Sequence, residues 1–515
     1  MKTGVILALL VGISTVHVSA DTLKDVVGSV LDTNPIVKER LRNYNAKKAE
    51  IGIAEAGYYP TVNFETAVGR KTTGRIDSDI ANQTYSVFQN SLILKQNIFS
   101  GFSTTEKVDY QKMNALAAAY NYLEKANDVA LQAVNVYTNL QKEKALLDNS
   151  RLNVKHNELT YDKVQKAYTA GLLTLSEVSK IHASLSLAKS NMMLQKNRLD
   201  NAHNNFRRVV GRTINLKALK KVNSDLKLPD NKKQAEKYAL EYNPSILAGK
   251  YNIKGAEALY RESKSAFYPK VDLVLSQNYN ENYNEFIGTD DRSQGLVVAS
   301  YNLYNGGADE ANKLNRMSKL NQEVSVVNDL KRQVIENINF SWNSYELSLD
   351  QIPFLEEYKS QSQMTLKLYV SEYKLGKRSM LDLISSENDF KRANDELISA
   401  KYNLLLSKYR IMHDMGLTMV SIMGSEKEYY QRVGIKAESK YAHKNNSYNE
   451  LYHAMQADKS HQSKQYTDTL PVTKEQDKIT EYKDVSQNTR KTVDTAPRGT
   501  STFIDELKKV RWESR

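Results

Sequence analysis

An internal duplication constrains this chain more than any other feature. Asn34-Pro35 returns as Asn243-Pro244, and Tyr59-Pro60-Thr61-Val62 returns as Tyr268-Pro269-Lys270-Val271, both 209 positions on. Phe99-Ser100-Gly101 matches Tyr304-Asn305-Gly306, Tyr168-Thr169-Ala170-Gly171 matches Tyr373-Lys374-Leu375-Gly376, and Gly211 matches Gly416, all at 205. Landmarks that keep their order with a drift of four residues mark two copies of one structural unit. The expected layout is a removable segment over 1–20, a first repeat over 21–215 and a linker over 216–242. A second repeat over 243–424 and a polar tail over 425–515 complete it, the tail having too few apolar residues for a core of its own.

Each copy reads as helix, two strands, long helix, hairpin and return helix. Pro35 and Pro244 suit the first turn of a helix, where a missing N–H costs nothing; the spacing predicts helices over 35–57 and 244–267. Alternation then takes over. Val62, Phe64 and Val68 share a face in the first segment, as do Phe88, Leu92, Leu94 and Ile98 in the next, with Gln89, Ser91, Lys95 and Asn97 opposite. Val271, Leu273 and Leu275, then Val297, Ala299, Tyr301 and Leu303, repeat the pattern. Period two over about ten residues predicts strands with one greasy and one wet face.

The stretch 102–170 contains neither Gly nor Pro, which predicts an unbroken helix about 100 Å long. Leu116, Tyr120, Leu123, Ala130, Val134 and Tyr137 keep a 4-3 rhythm with Asn127 in one polar slot. Leu185, Ala188, Met192, Leu199, Ala202 and Phe206 carry it on the return helix from Ser176 to Val210. The second copy does likewise through Val324, Val327, Val334 and Ile338, then Ile398, Tyr402, Leu405, Tyr409 and Met412. Heptads mean packing against neighbouring helices, and the lengths let the initial and return helices stack end to end beside the long one. Pro353 predicts a kink in the second long helix.

Composition removes whole classes of function. With no cysteine, disulfides, Fe–S clusters and thiolate zinc sites are excluded. Beyond the N-terminus no apolar run reaches the length of a transmembrane helix. Lys2, the run Val5 to Ile13 and Val18-Ser19-Ala20 read as a signal for export with the mature chain starting at Asp21. The net charge of +12 is interspersed rather than gathered in a patch, so nucleic acid is not expected as a partner. His156, His182 and His203 are far apart and unmatched in the second copy. No nucleophile–base pair or phosphate loop is present, so neither enzyme activity nor a metal or cofactor is expected.

Four amphipathic strands cannot close a barrel in lipid, where barrels begin at about eight strands and open edges are not tolerated. Either the strands form a small soluble sheet capping a periplasmic coiled-coil scaffold or adaptor, or several chains pool them in an outer membrane.

The run from Tyr373 to Leu383 (YKLGKRSMLDL), followed by Ala393 to Tyr402, resembles the hairpin and following helix of the TolC family of outer-membrane channels, and Tyr168 to Val178 is a degenerate copy. The resemblance covers about 21–424. It implies a mainly α protomer with a small β part that assembles as a homotrimer, with a 12-stranded β-barrel in outer-membrane lipid on a 12-helix periplasmic α-barrel. It implies an exit duct for efflux or type I secretion, partnered by a periplasmic adaptor and an inner-membrane resistance–nodulation–division or ABC transporter. By motif position it makes Tyr373, Arg378, Ser176 and Glu177 gate links, with Arg378 facing Glu177. Asp382 becomes a constriction carboxylate, with Ser385 where some relatives carry a second aspartate. Gly171, Leu172, Thr174, Gly376 and Ser379 become adaptor-contacting tips.

Overall fold

The computed structural model describes residues 22–73, 83–217, 219–222, 226–282 and 288–423. The expected export signal and the polar tail lie outside the described residues. The elements are α1 (Leu23–Thr33), α2 (Pro35–Glu55), β1 (Thr61–Thr73), β2 (Gln83–Phe99), α3 (Ser103–Thr169) and α4 (Leu175–Val210). They are followed by α5 (Lys232–Tyr242), α6 (Pro244–Ser263), β3 (Lys270–Glu281), β4 (Thr289–Ser300), α7 (Ala308–Lys374), α8 (Met380–Asp414) and α9 (Thr418–Met423).

The repeated landmarks are structural punctuation. Asn34 caps α2, its Oδ1 accepting from the Ile36 and Val37 N–H groups at 2.9 and 3.4 Å, and Pro35 takes the first helical position. Asn243 does the same for α6, accepting from Ser245 N–H at 3.0 Å. Its Nδ2 also donates to the Asp414 carbonyl at 2.9 Å, tying the end of α8 to the start of α6. These caps satisfy N–H groups that a helix start leaves unpaired. Each helix ends in a short 3₁₀ turn, Ala56–Tyr58 or Lys264–Phe267, before Tyr-Pro opens the strand.

Helices α1 and α5, which periodicity did not predict, stand in the same place before the two Asn-Pro corners. The segment 216–242, expected as a linker, therefore contains helix that belongs with the second copy. The strands run longer than expected on β1 and β2, while β4 ends at Ser300. Tyr301 and Leu303, expected on that strand, lie just past it.

The sheet is antiparallel in the order β1-β2-β3-β4. Its register sets Phe64 against Leu92, Leu94 against Leu275, and Leu273 against Val297. The apolar sets of all four strands thus share one face. Lys95, Asp272 and Asn97 meet on the other, with Lys95 Nζ and Asn97 Nδ2 at 2.9 and 2.8 Å from the Asp272 carboxylate.

Helices α3 and α7 have 67 residues each, about 100 Å at the usual rise. α7 continues through Pro353 as one helix. The largest core cluster joins α1, α3, α4, α8 and α9 through Val26, Ala130, Val134, Tyr137, Phe206, Tyr409 and Met419. Asn127, the polar residue in the heptad, is buried there. Its Nδ2 donates to Leu123 O and its Oδ1 accepts from Met419 N–H, fastening α9 to α3. A second cluster joins α5, α6, α7 and α8 through Ile246, Ile338, Trp342 and Met412. α6 also packs on the first copy, Tyr251 stacking on Tyr120 at 5.5 Å.

Candidate functional site: the helical hairpin end

Both hairpins turn by the same backbone device. Gly171 and Gly376 adopt φ of +74° and +70°, the left-handed conformation that glycine alone enters without a Cβ penalty. Leu172 N–H reaches Ala167 O and Lys377 N–H reaches Glu372 O, both at 2.9 Å, giving each long helix a Schellman end. The return helices start on capping boxes. Glu177 accepts from the Thr174 backbone N–H at 3.2 Å. Asp382 accepts from the Ser379 hydroxyl at 2.9 Å, and Asp382 N–H donates back to that hydroxyl at 3.2 Å. Thr174 and Ser379 are thus repeat equivalents, as are Glu177 and Asp382. The carboxylates at the expected link and at the expected constriction each hold a helix start, where negative charge is also favoured by the helix dipole.

The side chains around these turns differ. Leu172, expected at a tip, is 77% exposed, and Lys377 stands in its place on the second hairpin. Arg378 does not pair with Glu177 within the chain. Its Nε donates to Glu372 Oε2 at 2.7 Å, and its guanidinium lies 4.3 Å from the centroid of the Tyr369 ring. Arg378 stands six positions after Glu372; the turn folds it back over the last coil of α7, so the local partner is reached first. Ser176 shares a hydrogen bond with Thr174 at 2.9 Å. Tyr373 belongs to a cluster of Val164, Val178, Ile181, Met380 and Leu383 that binds all four hairpin helices. Its hydroxyl is buried with no partner among the described residues. Burial, and next the charge of Glu177, raise its pKa. Tyr373 and Glu177 are therefore near each other, while Arg378 looks elsewhere. Ser385 is exposed.

Sequence reasoning missed the residues above this cluster, on the seam between α3 and α8. Asn149 Nδ2 donates to Asp395 at 2.8 Å, and Asn394 Nδ2 donates to Asn149 Oδ1 at 2.7 Å. Asn153, Ser386 and Glu387 are also buried, while buried Asn157 faces α4, its Oδ1 accepting from the Ser184 hydroxyl at 2.8 Å. Glu387 points inward, against His156 of α3. The signal was present in the sequence: asparagine at 149, 153 and 157 occupies a helix face at a spacing reserved for apolar residues higher up.

No described helix is long and apolar enough to cross a membrane; the exposed apolar surface that could meet lipid is the sheet. The model of the family described as outer membrane efflux protein matches residues 26–212 and 237–416, one match on each repeat. The chain belongs to this family. It is 22% identical over 419 residues to the outer membrane efflux protein BepC of Brucella suis, covering 80% of this chain and 89% of that one. Against the outer membrane protein TolC of Escherichia coli the identity is 21% over 434 residues, covering 80% and 86%. The crystal structure of CusC superposes with a TM-score of 0.69 at 17% identity, covering 76% of this chain and 91% of that one. The fold is that of these channels, and the protein is an outer-membrane channel of the efflux and secretion class.

Proposed function

We propose that three copies close one duct, a 12-stranded barrel in the outer membrane continued by a 12-helix tunnel through the periplasm. The observation that carries this reading is the open sheet. Among the described residues β1 and β4 are its two edges, and one face exposes apolar side chains including Val62, Phe64, Val68 and Val297. Unpaired backbone at such edges is untenable in hydrocarbon, and joining β4 of one copy to β1 of the next removes every edge. Exposed Tyr59, Phe102, Tyr268 and Tyr304 sit at the helix-side ends of the strands, where aromatic girdles meet the membrane interface. On α7, Phe340, Leu347 and Phe354 form an exposed heptad stripe suited to a helix of the neighbouring copy.

In this assembly the hairpins form the periplasmic entrance. Tyr373 and Glu177, with Ser176 and Arg378 beside them, restrain α7 and α8 against α3 and α4. Asp382 places three carboxylates about the axis, attracting cations. Gly171, Leu172, Thr174, Gly376 and Ser379 meet a periplasmic adaptor that recruits the inner-membrane pump, of the resistance–nodulation–division or ABC class. The work is passage, and partners choose the cargo. Chemical cross-linking of the detergent-purified protein tests the assembly: a trimer that conducts in planar bilayers supports it, while a monomer that leaves liposomes sealed overturns it.

A further inference from the structure

Glu387 is the most unusual group in the hairpin half of the molecule. It sits on α8 at 7% exposure and faces α3, where His156 Nδ1 lies 3.6 Å from its Oε1. That distance is too long for a hydrogen bond, and Glu387 has no other ion pair among the described residues. Beside it the Ser386 hydroxyl is buried without a partner among the described residues. Among those residues no Lys or Arg of a neighbouring helix pairs with Glu387. One turn away α4 presents Val178 and Ile181, and α7 presents Leu366 and Tyr369. On α8 itself, Lys391 is engaged by Asp395 and Arg392 by Asp389. A carboxylate there would be buried, with only a half-exposed imidazole at its side.

We propose that the His156–Glu387 contact is a proton-operated latch on the α3–α8 seam, closed while Glu387 carries a proton and released when Glu387 is charged. The inference rests on the duct reading above and adds the control of its gate.

The closed seam favours the neutral acid because burial penalises the charge; in the described conformation the Glu387 carboxyl is lifted to about 7. With α8 drawn away from α3, water would solvate the carboxylate and return it to the ordinary range near 4.3. The closed arrangement therefore binds the proton more tightly. Its advantage is full below the solvated value, declines as pH rises, and is gone above about 7. On this seam Asn149 of α3 and Asn394 of α8 bond to each other, amides that water can satisfy once the helices separate.

The test is single-channel conductance of the purified full-length protein in planar bilayers between pH 5.5 and 8.5, at fixed salt. The wild type is expected to shift its open-to-closed ratio at least about tenfold toward open as pH rises, one unit of proton affinity being worth tenfold. Glu387→Gln, which keeps the shape and cannot ionise, stays closed and loses the response. His156→Gln keeps the response, because Glu387 carries the proton. It also serves as the second variant should Glu387→Gln fail to assemble. His182→Gln, altering the other histidine near the tip, which stacks on Tyr161, leaves the response intact. A flat wild-type profile, or a response that survives in Glu387→Gln, overturns the latch. Failure of the duct reading looks different: no channels at any pH.

Discussion

Two halves of α3 are built on opposite principles although they belong to one helix. Toward the strands, Val129, Ala130, Ala133, Val134, Tyr137 and Leu140 are buried in an apolar cluster. Toward the hairpin, Asn149, Ser150, Asn153 and Asn157 share the buried positions with Val154 and Val164. Apolar contact is lost outright when surfaces separate, because water gives nothing back. Amide contacts exchange protein partners for water at a net change of only about 1 kcal/mol each. One half is therefore the firmer joint, and the proposed latch makes the other a seam that parts.

The largest expected effect lies in the joint. Tyr137 is fully buried and its hydroxyl donates to Lys220 O at 2.6 Å; Tyr137→Ala should cost about 3–5 kcal/mol, by the range for deleting a buried aromatic ring. Thermal unfolding of the assembled protein reads this directly. Loss under about 1 kcal/mol would erase the contrast between the halves.

Next in size is a change that converts the seam into a joint. Replacing Asn149 and Asn394 together by Leu removes both members of a part-buried polar pair and leaves Asp395 its ion pair with Lys391, so it should cost little and should hold α8 on α3. Melting temperature is expected to be unchanged or higher, with conductance severalfold lower. Higher conductance would show that these amides keep the gate shut rather than free to part.

Asp382→Asn should weaken block by trivalent cations, read as a several-fold rise in the inhibitory concentration. With Ser385 in place of a second acid, the proposed ring would carry few charges, and undiminished block would assign it to another site. Arg378→Ala is expected to have the smallest effect. Its pair with Glu372 is about 40% exposed on both sides, and such pairs contribute about 0–1 kcal/mol, which limits any rise in conductance to roughly fivefold. An unchanged conductance removes Arg378 from the gate.

Much of this molecule was legible because its punctuation is local. Asn-Pro at 34 and 243 reads as a capped helix start, and Gly171 and Gly376 as helix ends, since caps and left-handed turns are satisfied within a few residues. Phe102 shows the limit of that rule. It holds φ +69° where the second copy has Gly307 at +80°, and its ring stacks edge-on against Phe99 and Tyr268 at 5.4 and 6.0 Å. Packing there supports a conformation that its side chain disfavours, and no rule of local sequence would have placed it.

The sequence by itself determined the duplication, the long helices, the four amphipathic strands and the residues at the hairpin turns. Each follows from periodicity or from backbone chemistry acting over one or two turns. Only the tertiary structure decided that Arg378 spends its charge on Glu372, that α5 belongs with the second repeat, and that Glu387 is turned inward against His156. The last of these depends on which helices lie side by side. Pairing between elements some 230 residues apart is fixed by the packing of whole surfaces, and leaves no mark in the spacing of either segment alone.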